Sequence, residues 1–196
     1  MNENIELVKD FSDFDTSIYW NAAKKFLPEK IKILIVAESP PAFNNDYPTS
    51  YFYFSECPKA DLLFYTIIKA IYNIDFQKGI DDRIKVLEQF KNDGYFLIDS
   101  VDYPINKDRN GNKIPNKLRE KIINNNKREF LNRIKYFQDC GIINKQTKIM
   151  LIKATVFHQL KDSFNNIMNK TSIRFPNYVK DRVVIQDIRE LLNIYF

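Results

Sequence analysis

Three short apolar runs interrupt a chain whose other apolar positions fall mostly three and four apart. Ile31–Ala37 ends in five uninterrupted aliphatic residues, Tyr95–Asp99 is apolar up to its terminal acid, and Lys148–Ile152 is apolar after its first lysine. Unbroken runs of this length mark strands buried on both faces of a parallel sheet. Helical spacing fills the rest. Asp15–Phe26 puts Ile18, Ala22 and Phe26 on one face, with Pro28 just beyond. Lys59–Tyr72 repeats the pattern with Leu63, Ile67 and Ile71. Asp81–Asn92 does so with Ile84, Leu87 and Phe90, two aspartates opening it and Gly94 closing it. Thr155–Asn169 and Val179–Asn193 read as further helices, the last carrying Val184, Ile188 and Leu191. The region after Pro115 reads as two helical pieces around Asn124–Asn126, the later one bringing Phe130, Ile134 and Phe137 inward before Gly141.

Strands alternating with helices predict an α/β fold: a three-layer α/β/α sandwich around a central, mostly parallel, four-stranded sheet. Ser172–Phe175, ahead of Pro176, is the short fourth strand. No repeat or linker divides the chain, so residues 1–196 form one domain, with a strand order beginning 2-1-3-4. A flavodoxin-like arrangement has similar content. Ligands of such sheets bind at the carboxyl ends of the strands. That rule gathers Glu38–Pro41, Asp99–Asn106, Lys153–His158 and Arg174–Asn177 in one place. Tyr51–Phe54 is a short aromatic segment after the first of these loops, and Pro104–Pro115 is a polar loop long enough to be functional.

Composition excludes several classes. The 196 residues are 44% hydrophobic with 16 Phe and 11 Tyr, too rich for disorder. Four glycines leave no room for a P-loop or a GxGxxG turn, and neither motif is present. Two cysteines, Cys57 and Cys140, cannot supply a four-thiolate zinc or iron–sulfur site, and there is one histidine, so no metal and no cofactor is expected. The start has no basic or apolar leader and no run approaches the roughly 20 residues of a membrane helix. A cytoplasmic protein without a membrane partner is the expectation. The net charge of +5 is unevenly spread. Residues 1–103 hold 11 basic and 17 acidic groups, whereas 104–148 hold 12 and 4. Ile, Lys and Asn, all with A/T-rich codons, fill 69 positions, so part of the lysine excess is compositional. The basic region reads either as a phosphate-facing patch or as a solvated helix face.

The order of loops resembles the uracil-DNA glycosylase superfamily. Ala37-Glu-Ser-Pro-Pro41 is similar to that family's first-strand loop, Phe54-Ser55 to its base-stacking Phe-Ser step, and Phe96-Leu-Ile-Asp-Ser-Val101 to the strand that reads the base edge. Ile149-Met-Leu-Ile-Lys-Ala154 matches the following strand, and Arg174-Phe-Pro-Asn177 falls where the family carries a His-Pro-Ser loop. The similarity runs over about 31–195 in order and spacing, with no motif intact. It implies a nucleic-acid partner, DNA ahead of RNA, and a flipped base bound on an aromatic platform. Phe54 and Tyr51 would form that platform, and Asp99 would read the base edge. Pro40, Pro41, Lys153 and Asn177 would lie against phosphates. Glu38, Ser39 and Arg174 would occupy the catalytic positions. Where the family has histidine this chain has Arg174 or Phe175, and neutral Ser39 is a poor base. Ordinary uracil excision is therefore expected to be weak or absent, with Glu38 and Arg174 as the fallback pair. Two other readings stand beside this one. The fold can serve as a non-catalytic nucleotide or small-molecule binder. A Ser39–Asp99–His158 set has the chain order of a hydrolase triad, although Pro40 removes the backbone donor that an oxyanion hole needs. The oligomeric state is not legible.

Overall fold

The structure, a computed structural model, describes residues 16–44, 47–48, 50–57, 61–79, 81–108, 111–176 and 181–195. Helix α1 (Ser17–Ala23) tightens into a 3-10 turn at Lys24–Phe26 and leads to β1 (Ile33–Ala37). A two-residue antiparallel pair, β2 (Phe43–Asn44) and β3 (Tyr47–Pro48), precedes α2 (Leu62–Tyr72) and α3 (Arg83–Asn92). Then come β4 (Tyr95–Asp99), α4 (Asn116–Asp139), β5 (Lys148–Leu151), α5 (Ala154–Leu160) and α6 (Asp181–Leu192). Helix α2 packs on α6, and α4 on α5.

The fold is mixed α/β, built on a parallel sheet in the order β4-β1-β5. Strand β1 is central: Ile33–Ala37 run opposite Tyr95–Asp99 on one side, and Ile33–Val36 opposite Lys148–Leu151 on the other. Leu34, Ile35 and Val36 are fully buried, as expected of an aliphatic run covered on both faces. Burying each such side chain contributes about 1.5–3 kcal/mol. Helix starts follow the acids. Asp61 accepts from the Phe64 N–H at 3.1 Å, and Asp82 from the Ile84 and Lys85 N–H groups at 3.0 and 3.2 Å. Gly94 turns the chain from α3 into β4 at φ +84°, where a Cβ would stand 2.8 Å from the Lys32 side chain.

Three expectations need correction. The sheet has three strands among the described residues, not four. Ser172–Phe175 contributes one parallel bridge, Ile152 to Ile173, because the backbone leaves the strand path at Lys153 (φ 81°, ψ 140°) and Pro176 follows. Helix α4 runs unbroken through Asn124–Asn126. The apolar stripe stays in phase across the asparagines, and its burial outweighs a few tenths of a kcal/mol of poor propensity per residue. Asn126 also bonds back to the Ile122 carbonyl at 2.9 Å. The helix expected over Thr155–Asn169 stops at Leu160. Its remainder runs beside β5, with Ile149 donating to the Asn166 carbonyl and accepting from the Met168 N–H.

Side chains complete both edges of this small sheet, on β5 beside the backbone pairing of Ile149 with Asn166 and Met168. On β4 the Tyr53 hydroxyl donates to the Leu97 carbonyl (3.1 Å) and accepts from its N–H (2.6 Å). On β5 the Asn169 amide does the same to Leu151, accepting its N–H at 3.0 Å and donating to its carbonyl at 3.1 Å. Each side chain therefore substitutes for one residue of a neighbouring strand. Tyr53→Phe leaves a buried N–H and C=O unpaired and is expected to cost about 1–3 kcal/mol in chemical denaturation. A loss below about 0.5 kcal/mol would show that the edge does not need this cap.

Candidate functional site

The end of β1 places a carboxylate in the interior. Glu38 is 3% exposed, and both of its oxygens are engaged. Arg119 of α4 donates Nη1 to Oε2 at 2.8 Å and to Oε1 at 3.2 Å. The Lys153 ammonium donates to Oε2, and the Thr155 hydroxyl to Oε1. The Glu38 carbonyl accepts from the Ser100 hydroxyl (2.7 Å) and the Val101 N–H (3.2 Å) just past β4. Ionic charge this deep is stable only when paired and hydrogen-bonded, and here it is both. Two cations to one anion leave the cluster with one positive charge in excess.

Lys153 has the backbone of a glycine. Its φ of 81° with ψ of 140° lies in a region that side chains avoid, at a cost of about 1–3 kcal/mol. Its N–H donates to the Ile173 carbonyl at 2.7 Å, which fixes the turn. The ammonium lies 5.3 Å from the centre of the Phe175 ring. Burial lowers its pKa, and the adjacent Glu38 opposes that shift.

Two cavities meet at this end of the sheet. A smaller one, of about 300 Å³, is lined by Glu38, Pro40, Tyr51, Asp99, Asn106, Lys153 and Phe175, among others. A larger cleft of about 860 Å³ lies between α1 and α4 and includes Tyr19, Trp20, Asp102, Arg133 and Tyr136. Pro40, Tyr51, Leu97 and Asp99 belong to both. Asp99 is 7% exposed, and its carboxyl has no hydrogen-bond partner among the described residues. Burial raises its pKa from 3.8 to about 8; Arg133 opposes the rise, and Asp102 and Glu38 add to it. Burial thus favours the protonated acid, which can both donate and accept.

The other expected residues land as follows. Tyr51 is buried and lines both cavities, in a tight turn (Phe54 N–H to Tyr51 carbonyl, 3.0 Å) and not in a strand. Phe54 lines neither; its ring stacks on Tyr19 at 6.1 Å and meets Tyr51 edge-on at 5.3 Å. Pro41 lines the smaller cavity, and its carbonyl accepts from the Tyr19 hydroxyl at 2.8 Å. Ser39 also lines it, donating to the Pro40 carbonyl (3.2 Å) and accepting from the Ile105 N–H (3.4 Å). Arg174 is exposed and lines neither cavity, while Asn177 lies outside the described residues. His158 is exposed on α5 beside Glu120 at 3.5 Å, away from both cavities. Among the described residues no three His, Cys, Asp or Glu side chains gather as a metal would require.

Sequence reasoning missed Arg119, Thr155, Arg133 and Asn106. Arg133 pairs with Asp102 and donates to the Asp99 carbonyl at 3.1 Å. A signal for Arg119 existed: it is in phase with Ile122, Ile123 and Phe130, so a cation stands on the apolar stripe of α4. Comparison with protein-family models, curated proteins and solved structures gives no match to this chain.

Folded Asp99 keeps its proton to about pH 8, whereas in the unfolded chain it ionises near its ordinary 3.8. Between those values only the unfolded state gains from ionisation, so this group makes stability fall as pH rises and contributes no further loss above about 8. Asp99→Asn removes the titration. Its stability relative to the parent is expected to rise between pH 4 and 8, by on the order of a few kcal/mol, in denaturation curves at matched pH. A difference independent of pH over that range would contradict the neutral acid.

Proposed function

We propose that the protein binds nucleic acid and takes one base into the 300 Å³ cavity at the strand ends. The observation that carries this reading is the Asp99 carboxyl, which has no hydrogen-bond partner among the described residues and stands on the wall of an aromatic-sided cavity. Tyr51 and Phe175 supply apolar walls, and the excess positive charge at Lys153 suits a nearby phosphate. The adjoining cleft takes neighbouring nucleotides, with Trp20 and Tyr136, 42% and 62% exposed, as stacking surfaces.

Helix α4 provides the matching electrostatic surface. Of the basic residues of 104–148, Arg119, Lys127 and Arg133 are spent on internal contacts. Lys117, Lys121, Arg128 and Lys135 are exposed, at spacings of 4, 11 and 18 from the first, which is one line along a helix. Such a line neutralises phosphates without reading sequence. A layered α/β/α arrangement, with the bridge at Ile173 as a vestigial fourth strand, fits the resemblance to the uracil-DNA glycosylase superfamily and belongs to this proposal.

Recognition is favoured over excision. Base excision needs a group to position water and one to stabilise the departing anion. Glu38 has both oxygens taken by Arg119, Lys153 and Thr155, and Arg174 stands outside the cavities. Glu38 accordingly holds Lys153 and the α4 connection in place and does not take a proton from water.

Fluorescence anisotropy tests the reading. Labelled single-stranded DNA is expected to bind at low salt, with log K falling linearly as log salt rises. Combining Lys117→Glu, Lys121→Glu and Arg128→Glu should weaken binding uniformly across sequences and flatten that slope by roughly one per lost phosphate contact. No binding to single- or double-stranded DNA or RNA at low salt would remove the proposal.

A further inference from the structure

The cleft between α1 and α4 differs in charge from the helix face beside it. Glu129, Asn132, Arg133 and Tyr136 follow one another at helical spacing on α4 and line the cleft. The exposed cations Lys117, Lys121, Arg128 and Lys135 lie roughly a quarter turn away on the same helix. Among the described residues that line the cleft, the acids are Asp99, Asp102 and Glu129, and the one cation is Arg133. That cation is engaged, pairing with Asp102 and donating to the Asp99 carbonyl at 3.1 Å. Glu129 has no ion pair among the described residues. The Asp99 carboxyl, more than nine-tenths buried, has no hydrogen-bond partner there. The charge left over on these walls is therefore negative.

Much of the remaining lining is aromatic. Trp20 stacks on Phe137 with ring centres 6.2 Å apart, and Tyr136 stands 6.3 Å from the same ring, so two exposed rings flank a buried one. Tyr51 borders the cleft beside Asp99. The face of an aromatic ring is the negative part of its quadrupole, and Trp attracts a cation most strongly. Carboxylates and ring faces thus favour the same ligand, one that is flat and positively charged. A neutral base gains from the rings alone, and a phosphate gains from neither. Such a cation would also compensate Asp99. Burial opposes the ionisation of that acid, Arg133 favours it, and Asp102 and Glu38 oppose it. A positive ligand in the cleft adds to the favourable side.

We infer that the cleft selects a planar aromatic cation over its neutral counterpart, with Trp20 and Tyr136 stacking on the ring and Asp99, Asp102 and Glu129 matching its charge. The source of that ligand rests on the base-binding reading above: it is a base alkylated at a ring nitrogen, which makes the ring positive. The division of α4 suits it. The line of cations from Lys117 to Lys135 meets phosphates, and the acidic, aromatic face takes a base that has itself become a cation. A free nucleoside of the same charge offers the same chemistry without the phosphates.

Two sets of probes test it. Ligand-observed NMR at about pH 6.5 compares 1-methyladenosine, a cation, with adenosine and with N6-methyladenosine, which has the added methyl group but no charge. Anisotropy at one low salt concentration compares short single-stranded thymidine oligomers carrying one 1-methyladenine, one N6-methyladenine or one adenine. The parent is expected to bind each cationic form at least about tenfold more tightly than either neutral form, the scale of a desolvated cation–π contact. Asp99→Asn combined with Glu129→Gln should cut that preference by about fivefold or more. Trp20→Leu, at an exposed helix position, should cut it by about threefold and covers the case in which the double variant fails to fold. Equal binding of charged and neutral forms, tighter binding of N6-methyladenosine, or a preference that neither variant moves would overturn the inference while leaving base binding in place. A preference for 1-methyladenosine with no oligomer bound would support the cation-selecting cleft and remove the nucleic-acid reading. Silence from nucleosides and oligomers alike would overturn both.

Discussion

A buried carboxylate at the end of the central strand ties the described structure together. Glu38 follows β1 directly, and its side chain is held by Arg119 from α4, Lys153 from the end of β5 and Thr155 from the first turn of α5. Its backbone carbonyl meanwhile holds Ser100 and Val101 beyond β4. One residue therefore fixes where all three parallel strands stop and where the next elements begin. Removing the Glu38 carboxylate leaves the buried Arg119 guanidinium uncompensated, a loss of about 3–5 kcal/mol. The cluster also accounts for the strained backbone at Lys153: the turn has to present an ammonium to Glu38, and a glycine would bring none.

That anchoring makes a three-stranded sheet sufficient. A sheet of this width has two edges close to its centre, and both are occupied. Tyr53 and Asn169 each pair a strand N–H and C=O from outside. The aromatic turn at Tyr51–Phe54 thus does two jobs. Tyr53 closes the β4 edge, and two residues earlier Tyr51 faces the cavities. Arg83 secures the same turn, donating to the Tyr51 and Phe52 carbonyls at 3.1 and 3.0 Å and to Asp61 at 2.6 Å. Stability and site are built from the same few residues.

How much of this was legible depended on whether a position's environment is local in sequence. The three core strands were readable because aliphatic runs such as Ile33–Ala37 have one stable burial, and Tyr95–Asp99 matched to the residue. Asp99 and Lys153 were readable as strand-end groups for the same reason. The continuity of α4 was not, since local propensity at Asn124–Asn126 argued for a break and distant packing overrode it. The shortened helix after Leu160 was hidden too. Its asparagines serve β5 as edge partners, and no periodicity encodes a side chain that imitates a strand. Arg119 was obscured by its surroundings, because a lone arginine in a basic segment resembles its solvated neighbours until its phase on the apolar stripe is examined. That the Asp99 carboxyl goes without a partner cannot be seen in sequence at all, because it is defined by what fails to reach it.

The central claim is that the strand ends, organised around Glu38, form the place where a base is bound. Mapping amide chemical shifts during titration with a short single-stranded oligonucleotide tests it directly. The account predicts the largest changes at Tyr51, Asp99, Ser100, Asn106 and Lys153, with smaller ones along the exposed line of α4 from Lys117 to Lys135. Changes confined to the outer face of α4, leaving the strand ends unmoved, would contradict it.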